Sequence, residues 1–336
     1  MIPTLDVSAL FGDDGPGRVA TDQAIAAAAA TSGFLSITAS PEFMPTDVRT
    51  HRELLRIFEL PAAEQRELWR NFYDSTHANV YRGWSPRSAD VPVDIFDMGP
   101  DVAHGKARVD GDTDEVDPLL GFTPVPTPQS LPGWHDAVQE YYRAMEHVGA
   151  MLMRSIARSL SLEQTFFDSA FTGGISTLRL LRYEAASANP DTPDVDDPEL
   201  PRRGEHVDSG FLTLLCQHGV GGLAAKMPDG HWIDVPAVDG QVVVNFGGVL
   251  ERWTGGRIRA TPHRVVSHGR TRYSIPFFFE PRVDAVISPL PQPGAAQFEP
   301  FAYGDHLWAA MSEFPNFVGI AGLRAPRGLP RVDAAR

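Results

Sequence analysis

The stretch that decides the fold is His206-Val-Asp-Ser-Gly-Phe-Leu-Thr-Leu-Leu215, in which a His-x-Asp triplet opens a run of apolar and β-branched residues. Further short runs of the same kind follow, separated by Gly, Pro and Asp: 219–223, 230–235, 242–248, 264–266 and 272–279. Such runs are typical of consecutive antiparallel strands. The sequence therefore predicts a mainly β fold with flanking helices, built on a β-sandwich or jelly-roll core, the double-stranded β-helix.

The His-x-Asp triplet also suggests a metal site. Side chains two residues apart on a strand point to the same face, so His206 and Asp208 can reach one ion. A second histidine, His263, lies in Thr-Pro-His-Arg-Val-Val (261–266), and His268 follows five residues later as an alternative ligand. Two imidazoles and one carboxylate are the ligand set of non-haem Fe(II) sites. We expect Fe(II) on His206, Asp208 and His263.

A second pair of residues suits a carboxylate ligand. Arg272 and Ser274 share a face if 272–279 is a strand. The guanidinium offers a planar fork for bidentate pairing and the serine hydroxyl adds a further donor. The sequence predicts a carboxylate-binding site on this strand.

The composition is that of an ordinary globular protein, with 43% hydrophobic and 21% charged residues in 336. The net charge of −14 repels phosphate backbones and anionic lipids, so neither a nucleic acid nor a membrane is an expected partner. No apolar run is long enough to span a bilayer, and no signal peptide is recognisable at the N-terminus. With a single cysteine, Cys216, an intrachain disulfide is impossible. We expect a cytoplasmic protein with a small-molecule partner, whose oligomeric state the sequence does not indicate.

The first half of the chain reads as strands and helices around this core. The pattern predicts strands over 2–7 and 33–38 and helices over 18–30, 46–60 and 134–160. In the longest helix, apolar residues recur every three or four positions, which predicts one face packed on the sheet.

These elements predict a single domain of residues 1–336 in three parts. An N-terminal strand and helix region (1–174) packs on a jelly-roll catalytic core (175–285), and a C-terminal extension (286–336) follows. Two stretches rich in Pro, Gly and Asp, 86–132 and 185–204, are candidate lids or binding loops.

The order of the sequence blocks resembles one known family. The matching blocks are His-Val-Asp-Ser-Gly-Phe-Leu-Thr-Leu-Leu (206–215), Val-Gly-Gly-Leu (220–223), Gly-His-Trp-Ile-Asp-Val (230–235), Val-Val-Asn-Phe-Gly (243–247), Leu-Glu-Arg-Trp-Thr-Gly-Gly (250–256), Thr-Pro-His-Arg-Val-Val (261–266) and Arg-Tyr-Ser-Ile-Pro-Phe-Phe (272–278). In this order they are similar to the catalytic core of the isopenicillin N synthase-like family of Fe(II)/2-oxoglutarate-dependent oxygenases. Upstream similarity extends the resemblance over nearly the whole chain.

The resemblance implies a set of roles. Arg272 and Ser274 would hold the distal carboxylate of 2-oxoglutarate, supported by Tyr183, while the iron, the cosubstrate and O2 oxidise a small metabolite. The products would be succinate, CO2 and a hydroxylated, desaturated or cyclised substrate.

The substrate side is expected around Tyr81, Arg82 and Arg182. The resemblance places the first two near the substrate, and an acidic protein needs local cations to admit a carboxylate against its own field. We therefore expect a small, carboxylate-bearing metabolite.

Three other functions are compatible with the sequence. An iron oxidase of the same fold would take all its electrons from the substrate and would not use 2-oxoglutarate. A cupin-like binding protein would hold no redox metal. A zinc hydrolase could use the same ligand set, but the Arg-x-Ser pair argues against it.

Overall fold

The computed structural model describes residues 2–88, 91–105, 117–185, 204–266, 269–292, 295–317 and 319–329. Its strands are β1 (Thr4–Asp6), β2 (Phe34–Thr38), β3 (Gly83–Ser85), β4 (Val93–Met98), β5 (Thr177–Tyr183), β6 (Leu212–His218), β7 (Leu223–Lys226), β8 (Trp232–Val235), β9 (Val242–Phe246), β10 (His263–Val265), β11 (Arg272–Phe279), β12 (Val286–Ile287) and β13 (Phe301–Ala302). Its α-helices are α1 (Pro16–Thr31), α2 (Val48–Leu55), α3 (Ala62–Arg66), α4 (Asp101–His104), α5 (Trp134–Ser159), α6 (Asp168–Phe171), α7 (Gly248–Trp253) and α8 (Tyr303–Met311). Short 3-10 helices cover Ser8–Phe11, Arg56–Glu59, Pro118–Leu120, Pro315–Phe317 and Ala321–Leu323.

Two sheets form the core. The main sheet has the strand order β1-β2-β9-β6-β11-β5-β4-β3, and the smaller sheet has the order β10-β7-β8. All neighbouring pairs are antiparallel except β1 and β2. The arrangement confirms the predicted jelly roll, with the smaller sheet facing the inner side of the main one.

The period of two along the strands separates two hydrophobic cores. On β9, Val243 packs between the sheets with Phe34 and Leu223, whereas its neighbours Val242 and Val244 pack on the outer side of the main sheet. Inner and outer faces are therefore distinct, and the inner face is where the site residues of β5 and β11 lie.

Helix α5 covers the outer face of the main sheet, as its apolar period predicts. Its residues Val138, Tyr141, Met145, Val148, Leu152 and Ile156 are all buried. The contact is close at Gly149, where a Cβ atom would stand 2.6 Å from the ring of Phe279 on β11. Only glycine allows this approach of helix and sheet.

The N-terminal region contributes more than the expected packing on the core. Strand β2 pairs with β9, and β4 pairs with β5, so β1 to β4 all belong to the main sheet. Strand β4 lies inside the stretch 86–132 that the sequence suggests is irregular. Asp94 and Asp97 interrupt its apolar pattern, and their pairing with Arg182 and Arg179 of β5 compensates for burying both carboxylates.

No helix among the described residues is long and apolar enough to cross a bilayer.

Candidate metal centre and active site

Backbone pairing brings the two predicted histidines together. His206 N donates to His263 O at 3.0 Å and His263 N donates to His206 O at 2.9 Å, an isolated antiparallel bridge. The Nε2 atoms of His206 and His263 lie 3.5 and 3.6 Å from Asp208 Oδ1. Across the described ranges, these three residues form the single group of at least three His, Cys, Asp or Glu side chains whose ligand atoms lie within 4.8 Å of one another.

The second ring nitrogen of each histidine is fixed by a carbonyl. Gly204 O lies 2.7 Å from His206 Nδ1, and Thr261 O lies 3.2 Å from His263 Nδ1. A carbonyl only accepts, so each Nδ1 donates its proton and each Nε2 keeps a lone pair. This tautomer is the one that a metal ion requires.

Asp208 is held as a carboxylate. Its Oδ2 accepts hydrogen bonds from Thr213 Oγ1 and, at 2.7 Å, from Asn245 Nδ2, which leaves Oδ1 facing the histidines. Burial alone would raise the pKa of Asp208, but the imidazoles of His263 and His206, in their protonated forms, and the hydrogen bond from Thr213 hold it well below its usual range. Burial lowers the pKa of His263, which favours its neutral, metal-binding form.

The His-x-Asp segment is not the regular strand that the sequence predicts. His206 forms only the isolated bridge, Asp208 lies outside any strand, and β6 begins at Leu212. Gly248 N instead donates to Asp208 O at 2.7 Å, and a Cβ atom on Gly247 would stand 2.2 Å from Gly210 O. Close packing against these glycines displaces the ladder pairing there.

Arg272 and Ser274 point to the inner face of β11 with unused donors. Arg272 Nε donates to Gly221 O at 3.0 Å and Nη2 to Gln217 Oε1 at 3.4 Å, whereas Nη1 is buried without a hydrogen-bond partner in the described chain. The same holds for Ser274 Oγ. Burial lowers the pKa of Arg272. The pair fits the carboxylate that the sequence predicts.

Tyr183 lies beside this pair. It stands opposite Arg272 in the register of β5 and β11, and the guanidinium carbon is 4.9 Å from the centre of its ring. The structure thus brings together Arg272, Ser274 and Tyr183.

A cavity of about 80 Å³ opens beside the metal-ligand triad. It is lined by Tyr81, Thr177, Arg179, His206, Asp208, Ser209, Gly210, Phe211, Leu212, Thr213, Phe278, Glu280, Met311, Phe314 and Asn316. A larger cavity, of about 570 Å³, lies between α5, α6 and Phe279 on the outer side of the main sheet. None of the predicted site residues lines that larger cavity.

Of the three residues expected on the substrate side, Tyr81 lines the triad cavity, and Arg82 and Arg182 do not. The Arg82 guanidinium turns into the core, where it donates to Thr177 Oγ1 and, at 2.8 Å, to Ile175 O. Arg182 points to the outer face of β5, pairs with Asp94 at 2.9 Å and donates to Phe58 O. Alternation along β5 explains the second result, because residues 177 and 179 face inwards and residue 182 faces outwards.

Sequence reasoning does not single out most of the other lining residues, among them Arg179, Glu280, Phe314 and Asn316. Arg179 and Glu280 follow from the period of two on β5 and β11, once the inward residues Thr177 and Ser274 are known. Phe314 and Asn316 come from the C-terminal extension, and no local pattern marks them. The alternative ligand His268 lies outside the described residues, as does nearly all of the candidate lid 185–204.

Comparisons with known proteins identify the family of this chain. The family model of the 2OG-Fe(II) oxygenase superfamily matches residues 176–281. A 2-oxoglutarate-Fe(II) type oxidoreductase of Emericella nidulans is 30% identical over 302 residues, which cover 86% of this chain and 82% of that protein. Isopenicillin N synthase of Streptomyces clavuligerus is 28% identical over 316 residues, covering 91% and 93%.

Among solved structures, a full-length Neurospora crassa protein in complex with α-ketoglutarate (2-oxoglutarate) matches with a TM-score of 0.76 and 26% identity, covering 93% of this chain and 95% of that one. The chain therefore belongs to the 2OG-Fe(II) oxygenase superfamily, in its isopenicillin N synthase-like branch, and is a dioxygenase that uses Fe(II) and 2-oxoglutarate.

Proposed function

We propose that His206, Asp208 and His263 bind the iron, that Arg272 and Ser274 bind the distal carboxylate of 2-oxoglutarate, and that a small molecule is oxidised in the triad cavity. Bound Fe(II) and 2-oxoglutarate would supply oxygen activation, in which the cosubstrate becomes succinate and CO2 while a substrate C–H bond is hydroxylated, or a second hydrogen is lost to give an alkene or a ring. The protein contributes ligand geometry, substrate placement and exclusion of water.

One observation carries the cosubstrate assignment. Arg272 is 3% exposed, no acidic side chain of the described residues pairs with it, and its Nη1 and the neighbouring Ser274 Oγ lack partners. A buried cation without a counter-ion is costly unless a ligand supplies the opposite charge. The terminal carboxylate of 2-oxoglutarate matches both free donors.

The protein's own residues prepare the iron side. Thr213 and Asn245 restrict Asp208 to one free oxygen, and the carbonyls of Gly204 and Thr261 orient the two imidazoles. All three ligand atoms then converge from one side, which leaves the cavity side for cosubstrate, oxygen and substrate.

We place the substrate beside Tyr81, Arg179, Phe278 and Phe314. The sequence-based expectation of a substrate carboxylate rests on Arg82 and Arg182, whose guanidinium groups are engaged elsewhere. Instead, Arg179 is the arginine that lines the cavity. Asp97 holds it through hydrogen bonds of 2.6 and 3.0 Å, so its charge is partly neutralised. We propose that Arg179 pairs with a substrate oxygen, either carboxylate or carbonyl.

Relatives support a small polar substrate. The same Neurospora crassa protein has been crystallised with α-ketoglutarate and thymine, a structure that matches this chain at 26% identity and a TM-score of 0.73. A proline hydroxylase of Petromyces alliaceus is 30% identical to this chain over 303 residues, covering 83% of it.

The cosubstrate assignment is tested by Arg272→Leu. We expect the 2-oxoglutarate concentration for half-maximal succinate formation to rise at least about tenfold, because the carboxylate loses its charge-assisted pair. Arg272→Lys should recover only part of the affinity, since an ammonium cannot reproduce the fork. The control is Arg270→Leu, which removes an exposed arginine next to the same strand. An unchanged 2-oxoglutarate requirement in Arg272→Leu would remove this residue from the cosubstrate site.

A further inference from the structure

Glu280 is a buried carboxyl group at the wall of the triad cavity. It follows β11, two residues after Phe278 and on the same face, and is 6% exposed. Its backbone is fixed, because Glu280 N donates to Ser176 Oγ at 3.1 Å. Its side chain lies against Gly210, where a Cβ atom would stand 3.3 Å from Oε1. The carboxyl group thus contacts a residue that lies two positions along the chain from the iron ligand Asp208.

The nearby cations are engaged with other groups. Arg82 donates to Thr177 and to a carbonyl, and Arg179 pairs with Asp97. Neither forms an ion pair with Glu280, and Glu280 Oε2 has no hydrogen-bond partner among the described residues. The Tyr303 hydroxyl lies on the same side of Gly210 as Glu280 Oε1, so Oε2 is the oxygen that no donor of the described chain satisfies, although burying a carboxyl group is unfavourable.

The charges around Glu280 leave its protonation responsive to a ligand. Burial raises its pKa to about 7, against the opposing effects of Arg82, the Tyr303 hydroxyl and Arg179, while Asp208 raises it further. A donor placed against Oε2 would stabilise the carboxylate form.

Complementary groups line the same cavity. Asn316 Nδ2 is buried and also lacks a hydrogen-bond partner in the described chain. Arg179 stacks on the ring of Phe278, with its guanidinium carbon 5.2 Å from the ring centre. The cavity thus combines one unused acceptor, one unused amide donor and one cation beside an aromatic surface.

We propose that Glu280 determines substrate specificity by accepting a hydrogen bond from a substrate N–H group, while Arg179 and Asn316 donate to an oxygen of the same molecule. The substrate class is a small nitrogen compound that carries an N–H group near a carbonyl or carboxylate oxygen. This inference rests on the proposed function, since it assumes that the substrate occupies the triad cavity.

The charges around the cavity include two carboxylates, Asp97 and Glu280, and three guanidinium groups, Arg70, Arg82 and Arg179. A neutral cyclic amide and a zwitterionic amino acid each bring an N–H donor to the carboxylate side and an oxygen acceptor to the cationic side. A simple amine would only add to the excess of positive charge. The two favoured kinds of substrate, a cyclic amide and an amino acid, share the same recognition chemistry and differ in whether the nitrogen is charged.

The test is calorimetric binding to the anaerobic Fe(II)–2-oxoglutarate form of the protein. Thymine and 1,3-dimethylthymine make one matched pair of probes, and L-proline and N,N-dimethylproline make the other, since methylation removes the N–H donors. The proteins are wild type, Glu280→Met, Glu280→Gln and the control Glu313→Gln, which neutralises a glutamate next to Phe314.

We expect at least one N–H compound to bind the wild type at least tenfold more tightly than its methylated partner. Glu280→Met should lose at least tenfold in that affinity, and Glu313→Gln should lose none. Glu280→Gln distinguishes the neutral cyclic amide from the zwitterionic amino acid. Its amide oxygen can still accept from a neutral N–H, so most thymine binding should remain, whereas an ammonium group would lose its counter-ion and bind as weakly as in Glu280→Met.

Three results would overturn the proposal: equal affinity of methylated and unmethylated probes, an unaltered affinity in Glu280→Met, or no binding of either N–H compound to the wild type. Failure of the proposed function looks different. In that case the wild type would not form the Fe(II)–2-oxoglutarate absorption band, whatever its affinity for the probes.

Discussion

At the scale of single residues, the two oxygens of Asp208 have separate tasks. Oδ1 faces His206 and His263, and Oδ2 is occupied by Thr213 and Asn245. Hydrogen bonds to a ligating carboxylate orient it and set its basicity. The iron affinity should therefore depend on residues that never contact the metal.

Thr213→Val tests this dependence, because valine keeps the shape of threonine and removes the hydroxyl donor. We expect Fe(II) affinity to fall about tenfold, measured by competition with a chelator. Thermal unfolding of the metal-free protein serves as the control for intact folding. An iron affinity equal to that of the wild type would show that Thr213 does not support the ligand.

Arg179 and Arg182 form a matched pair on β5. Both pair with a buried aspartate of β4, but only Arg179 lines the triad cavity. Replacing either arginine by leucine leaves a buried carboxylate without its partner, so each substitution should destabilise the protein by about 3 kcal/mol.

The two leucine variants should differ in substrate binding. Arg179→Leu should raise the KM for substrate at least about tenfold, because a charge-assisted hydrogen bond is lost. Arg182→Leu should leave that KM nearly unchanged, since its side chain points to the other face of β5. The measurement is steady-state succinate formation at saturating 2-oxoglutarate. Equal effects of the two substitutions would contradict the assignment of the faces.

At the scale of elements, strand β11 joins the two halves of the proposed site. The inner-face residues Arg272 and Ser274 mark its cosubstrate end, and Phe278 and Glu280 mark the substrate end. The sequence predicts the first pair because the Arg-x-Ser spacing has its own chemistry. The second pair has no such motif, and only the strand's period of two connects it to the site.

The C-terminal segment covers the cavity from the other side. Helix α8 and the 3-10 helix Pro315–Phe317, with the turn between them, supply Met311, Phe314 and Asn316 to the lining. Buried Arg324 anchors this segment, pairing with Asp117 at 2.9 Å and with Asp305 of α8 at 2.6 Å.

Arg324→Met should increase the local opening of the C-terminal segment that covers the cavity. Asp117 would be left buried without its main partner, a loss of about 3 to 5 kcal/mol, and amide hydrogen exchange should accelerate across residues 303–323. The comparison variant is Arg282→Met, which breaks an exposed pair with Asp284. If exchange in 303–323 is as slow in Arg324→Met as in the control, the anchor is wrongly identified.

At the scale of the whole molecule, two buried groups make stability depend on pH in opposite directions. His51 lies between α5 and β6 with neither ring nitrogen hydrogen-bonded in the described chain. Burial, followed by the charge of His218, lowers its pKa to about 4 from the ordinary 6.5. The unfolded chain takes up the proton first, so stability is lost as pH falls from about 6.5 towards 4.

His51→Phe should reduce this loss of stability at acidic pH. The free energy of unfolding of the wild type should drop by roughly 2 to 3 kcal/mol more than that of the variant between about pH 7.5 and pH 4.5. Urea denaturation at the two pH values measures the difference, and exposed His135→Phe is the control. Parallel losses in wild type and His51→Phe would refute the cause.

Glu280 acts with the opposite sign. Its folded pKa of about 7 exceeds the ordinary 4.5, so the folded state binds the extra proton and stability falls as pH rises from about 4.5 to 7. Glu280→Met should therefore be more stable than the wild type at about pH 8, by about 3 kcal/mol, and much closer to it in acid. Urea denaturation measures both differences. A variant that is less stable in the alkaline range would indicate that Glu280 serves the fold.

The sequence predicts chemistry that is local and misses what the topology decides. The triad follows from residue type and spacing, and helix α5 follows from its apolar period. Which face of β5 meets the cavity depends on its pairing with β4 and β11, so the sequence favours Arg182 where Arg179 lines the site. Strand β4 is missed because two aspartates in a short segment are typical of a loop. The structure shows that arginines of the neighbouring strand neutralise them, which a local pattern does not indicate.

The proposed chemistry requires that one Fe(II) bind to His206, Asp208 and His263 with 2-oxoglutarate beside it. The most direct measurement is an anaerobic titration of the protein with Fe(II) and then with 2-oxoglutarate. The charge-transfer absorption band of the complex reports binding. We expect one iron per chain and a band on addition of 2-oxoglutarate in the wild type, and no band in Asp208→Ala. Equal iron binding and an equal band in both proteins would contradict it.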